Sequence, residues 1–70
     1  MSKKDELIDL FNEKYGVDKS EINGETQLSD IIGSDTKFSS YLEERFDDQP
    51  SSSEELNFLT VDDVVAWLER

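Results

Sequence analysis

The stretch LTVDDVVAWLER, residues 59–70, decides the fold. Three β-branched valines would suit a strand, yet Val61, Val64, Val65 and Leu68 fall at i, i+3, i+4 and i+7, the spacing of one helical face. Trp67 lies beside that stripe. Thr60 stands where an N-cap belongs and Asp63 follows three residues later, an acidic variant of the capping box. Leu59 and Val64 are spaced for a hydrophobic staple. Caps and burial override the modest propensity cost of the valines, so the segment reads as a helix.

Working outward, the first segment, SKKDELIDLFNEKYG, has the same character. Leu7, Leu10, Phe11 and Tyr15 share a face, Ser2 can cap the start, Asp5 and Glu6 suit the positive helix end, and Gly16 suits a left-handed stop. Residues 17–33 lack such a period. Val17, Ile22, Leu28, Ile31 and Ile32 predict a long loop pinned to the core, with one short helical turn at Ser29–Ile32. The Asn23-Gly24 pair invites a hairpin, but its flanks do not alternate. A second main helix is predicted over 35–47, with Phe38, Tyr41, Leu42 and Phe46 inward and Asp35 or Thr36 as its cap. Pro50 and the serines after it end that helix. Serines followed by acids also match an acidophilic kinase site, though the run reads more simply as linker. A short helix from Ser53 is expected, with Leu56 and Phe58 inward. The sum is all-α: one domain, residues 1–70, a three-to-four-helix bundle with a long first loop.

Composition narrows function. The 18 acidic residues outnumber 7 basic ones, for a formal net charge of −11. Such a chain repels phosphate backbones and anionic membranes and attracts basic protein surfaces. Without cysteine or histidine it has no disulfide, no thiolate or imidazole metal ligand and no histidine base for a nucleophilic triad. A core this small supplies roughly 3–5 kcal/mol, so helix packing must do what staples do elsewhere. The segment from Asp18 fails as an EF-hand, since Gly24 falls one place late and Ser29 stands where the bidentate glutamate belongs. Adjacent acids such as Glu43-Glu44 or Asp62-Asp63 diverge on a helix and share no proton. No metal site and no catalysis by this chain are expected. No apolar run is long enough to span a bilayer, and MSKKDELIDL has no apolar region of signal-peptide type. A cytoplasmic monomer is expected.

The order of elements resembles the acyl carrier and peptidyl carrier protein family across nearly the whole chain. LIDLFNEKYGV (7–17) resembles its first helix, TQLSDIIGSD (26–35) the loop run before its modification motif, YLEERF (41–46) the end of its second helix, and LTVDDVVAWLER its last helix. The resemblance implies a four-helix bundle, a 4′-phosphopantetheine arm on a serine opening the second helix, and acidic docking residues along that helix. The Asp-Ser-Leu motif is not intact here. Aligned from the N-terminal side it becomes Asp35-Thr36-Lys37; aligned with another gap, Ser34 takes the acceptor place with Gly33 before it and Asp35 after it. Counted back from Phe46, the segment is about four residues short, close to one helical turn. That shortening predicts a narrow crevice with little room for an acyl chain.

Three readings follow. In the preferred one, an acidic carrier-like module without the arm docks a basic protein surface, such as a carrier-dependent enzyme, through Asp35, Glu43, Glu44, Asp47 and Asp48. In the second, the chain is a genuine carrier holding 4′-phosphopantetheine on Ser34 or Thr36. In the third, of another class, it is an acidic inhibitor of the phage-encoded kind that mimics nucleic acid on a DNA- or RNA-binding protein.

Overall fold

The computed structural model describes residues 2–70. Its elements are α1 (Lys3–Tyr15), a 3₁₀ turn (Lys19–Glu21), α2 (Leu28–Ile32), α3 (Phe38–Phe46), α4 (Ser52–Leu56) and α5 (Val61–Leu68). The protein is an all-α small bundle. Its radius of gyration, 10.8 Å, is close to the ~11 Å expected of a 70-residue folded domain. No helix among the described residues is long and apolar enough to cross a membrane.

The two terminal helices form the centre. Leu7, Leu10 and Phe11 of α1 and Val61 and Val64 of α5 are all but completely buried, with Trp67 and Leu68 nearly so. The caps are those that the sequence specifies. The Asp5 N–H donates to Ser2 Oγ, and Gly16 closes α1 at φ 69°. At α5 the Asp63 N–H donates to Thr60 Oγ1, and the Asp63 carboxylate accepts from the Leu59 and Thr60 N–H groups at 2.9 and 3.0 Å. The staple does not form: Leu59 is 69% exposed, because its backbone, not its side chain, is turned to Asp63.

The first loop is pinned as expected, through buried Ile22, Leu28 and Ile31. What its sequence does not announce is a short antiparallel contact with the entry to α5. Leu28 N donates to Leu59 O, Val61 N to Thr26 O and Asp62 N to Gly24 O. Asn23-Gly24 is therefore a turn laid against the start of α5, not the tip of a hairpin.

α3 starts at Phe38, three residues later than predicted, and neither Asp35 nor Thr36 caps it. The Asp35 carboxylate instead accepts the Lys37 N–H at 2.8 Å, an Asx-type turn that holds residues 35–37 outside the helix. α3 is seated by Phe38 and Leu42, and its aromatics pack on α1: Phe38 stacks on Phe11 with ring centroids 5.5 Å apart, and Tyr41 meets Tyr15 edge-on at 5.9 Å. Asp47 closes α3 in the left-handed region at φ 57°.

α4 begins at Ser52, one residue before the predicted start, because Ser51 and Glu54 complete a capping box. It buries none of its own residues, and Leu56, predicted inward, is 82% exposed. Its tethers are Glu54, whose carboxylate accepts the Trp67 indole N–H at 3.0 Å, and half-buried Phe58 just beyond it, edge-on to the Trp67 ring at 5.8 Å.

Candidate functional site

α3 carries two features: exposed acids toward its C-terminal end, Glu43, Glu44 and Asp47, and a groove at its N-terminal end beside the residue 33–37 loop. Of the seven basic side chains, five are engaged in ion pairs: Lys4–Asp62, Lys14–Glu44, Lys19–Asp9, Arg45–Glu13 and Arg70–Asp48. Lys3 lies over the Phe46 ring at 5.8 Å. Six of the seven cations thus make internal contacts, the seventh, Lys37, is exposed and makes no ion pair among the described residues, and the surplus of carboxylates faces solvent.

The acids singled out in the sequence divide into two groups. Glu43 and Asp47 are exposed and make no ion pair among the described residues. Glu43 lies in the last turn of α3 and Asp47 at its C-cap, where the Asp47 N–H donates to the Glu43 carbonyl at 2.8 Å, so both acids stand at the C-terminal end of the helix. Glu44 is also outward, its side chain 71% exposed and its contact with Lys14 stretched to 4.0 Å. The other two are occupied. Asp48 is held by Arg70 at 2.9 Å, an arginine that also stacks on Trp67, so this pair ties the end of α3 to the end of α5. Asp35 is half-buried, bonded to the Lys37 N–H and facing Tyr15. Burial, followed by the Asp35 carboxylate, pushes the Tyr15 hydroxyl well above the ordinary tyrosine range. That hydroxyl is buried without a hydrogen bond of normal geometry.

Ser34 and Thr36, the candidate attachment positions, are both exposed on the α2–α3 loop. Gly33 precedes them at φ 59°, a conformation that turns the chain out of α2. Thr36 lines the groove together with Ser39. The carboxylate nearest in sequence, Asp35, is already committed to the Lys37 backbone. Among the described residues no cluster of three or more His, Cys, Asp or Glu side chains gathers as a metal site.

The groove has a volume of about 360 Å³ and opens to solvent. Leu28, Ile32, Phe38 and Phe58 form its apolar floor, and Asp35 and Glu55 stand among its polar residues. This is more room than the shortened second helix predicts. The space lies toward α4, which contributes Glu55 to its lining and buries none of its own side chains. Sequence reasoning missed Ile32, Glu55 and Phe58 as neighbours of the loop; the signal available was the apolar Phe58 one residue before an apolar cap region, which was read as core.

No family model matches the chain, and no curated protein matches it.

Proposed function

We propose that this protein is a small acidic docking module of carrier-protein-like shape, which binds a basic surface on a partner protein through α3 and carries no phosphopantetheine arm. The observation that carries this reading is the pair Glu43 and Asp47, exposed, without an ion-pair partner among the described residues, and standing together at the C-terminal end of a helix whose inner face is fixed by Phe38 and Leu42. Glu44 adds a third outward charge. Carboxylates held on a helix steer a cationic partner and help to fix its orientation. The loop chemistry supports the absence of the arm: Thr36 offers a hindered secondary alcohol, Ser34 is flanked by Gly33 and Asp35, and Lys37 stands where the carrier family has an apolar residue.

One observation favours a second reading, genuine carriage. Thr36 does not cap α3, so the exposed hydroxyls at residues 34 and 36 are free of that structural duty. Intact mass after incubation with a promiscuous phosphopantetheinyl transferase and coenzyme A separates the two. An unchanged mass, with a known carrier modified in the same tube, is the expected result. A gain that fragmentation maps to Ser34 or Thr36 would replace the arm-free reading with that of a working carrier.

A further inference from the structure

The groove beside α3 has a composition that specifies an occupant. Its lining is aliphatic and aromatic with the carboxylates of Asp35 and Glu55 and no basic side chain, the nearest cation in sequence being exposed Lys37 between the lining residues Thr36 and Phe38. The volume, about 360 Å³, is at the low end of the ~300–1,000 Å³ typical of ligand clefts, enough for one large side chain with part of its neighbours. An anionic guest, whether a fatty acid or a nucleic acid, would meet like charge at Asp35, at Glu55 and over the whole molecule.

We propose that this groove takes a single large apolar side chain, aromatic or leucine, projecting from a lysine- or arginine-rich segment of the partner. The inference rests on the docking reading above and adds its anchor: α3 carboxylates orient the basic segment while the apolar side chain enters between α2, α3 and α4. Such a division, one desolvated anchor ringed by charged contacts, is how compact interfaces concentrate their affinity. Phe58 links the groove to Trp67, the only tryptophan, so occupation of the groove has an optical reporter built into the fold.

The test uses the full chain and three synthetic helical peptides without tryptophan: a lysine–alanine host with one central phenylalanine, the same host with alanine there, and a glutamate–alanine host with phenylalanine. Binding is read by Trp67 emission and by amide shifts in heteronuclear spectra. The lysine–phenylalanine peptide is expected to bind about tenfold tighter than its alanine counterpart, equivalent to about 1.4 kcal/mol, with shifts at Ile32, Phe38, Glu55 and Phe58. Filling the groove with Ser39→Leu, or with Thr36→Leu should the first variant fold poorly, is expected to erase that tenfold difference and leave binding of the lysine–alanine peptide intact. Equal binding of the two lysine peptides would overturn the anchor while leaving docking through α3 standing. Failure of both lysine peptides to bind would overturn docking and anchor together. Binding of the glutamate host as tight as that of the lysine host would overturn the basic partner, and groove shifts that depend on protein concentration without peptide would assign the groove to a second copy of the chain.

Discussion

Leu42→Ala removes the one α3 side chain with no exposed surface, and its effect can be sized from the structure. Deleting a fully buried leucine side chain costs about 2–5 kcal/mol, the upper end applying where neighbours cannot collapse into the space. Here Leu42 belongs to one buried cluster with Leu7, Leu10 and Phe11 of α1, which packs on α5, so collapse is restricted. A core of this size supplies roughly 3–5 kcal/mol in all. The variant therefore stands near its unfolding midpoint at room temperature. Urea unfolding followed through Trp67 measures it: with a slope of about 1 kcal/mol per molar for so small a domain, the midpoint falls by about 2 M or more. Ser40→Ala, on the exposed side of the same helix, stays within about 0.5 kcal/mol of the parent. A Leu42→Ala shift no larger than that of Ser40→Ala would refute the seating of α3 on the core, and with it the rigid presentation of Glu43 and Asp47.

Other consequences follow from caps and charges. Thr60→Ala deletes half of the α5 capping box and should cost about 1 kcal/mol, seen in calorimetry as a Tm lower by about 4–8 °C; an unchanged Tm would mean that the box contributes nothing. Gly16→Ala has open space for its methyl but must adopt φ 69°, so a loss of about 1–2 kcal/mol by chemical denaturation is expected from backbone strain alone. Glu54 is held below the usual carboxylate range by the Ser51 N–H, and Asp63 by the N–H groups of Thr60 and Leu59. Folded values below unfolded ones mean that their contribution is whole above the unfolded carboxylate value, about 4, and disappears as pH falls through the lower folded values. Acid unfolding should therefore steepen below about pH 4, and Glu54→Gln with Asp63→Asn should flatten that limb of the stability profile; an unaltered limb would exclude these two groups as its cause.

Much of the fold was legible because its strongest signals are local. The α5 stripe, the Thr60–Asp63 box, Ser2 and Gly16 each act within a turn or two of themselves, so the sequence contains both partners. The misreadings share a cause in longer-range or competing contacts. Asp35 was expected to cap α3, but an aspartate can bond the N–H two residues on as readily as the N–H of a helix start, and Tyr15 at its other side is a tertiary neighbour that no spacing reveals. Leu56 looked like a core residue by composition. It is exposed because Glu54 ties α4 to Trp67 through its polar side, leaving Leu56 turned out. The acidic face was readable as composition, yet not which acids were spent. Only the fold brings Arg70 to Asp48 and leaves Glu43 and Asp47 free. A crevice was expected but a narrow one; that Glu55 and Phe58 help to line a groove of about 360 Å³ was not legible, because their contact with the 33–37 loop is tertiary.

Docking through α3 is tested most directly by comparing two charge variants against one basic ligand. Glu43→Lys, Glu44→Lys and Asp47→Asn together strip the helix face, asparagine being chosen because it tolerates the left-handed backbone at residue 47. Glu21→Lys with Glu25→Lys alters exposed charge in the first loop instead. Affinity for the lysine–alanine helical peptide is measured by calorimetry at about 0.01 M salt, where charges act over about 30 Å, and again at about 0.1 M, where they act over about 10 Å. The α3 variant should bind at least about tenfold more weakly at the higher salt, where only nearby charges count, while the loop variant stays close to the parent and both keep the parental circular dichroism. Equal losses in the two variants would mean that the peptide responds to net charge alone, and α3 would not be the docking surface.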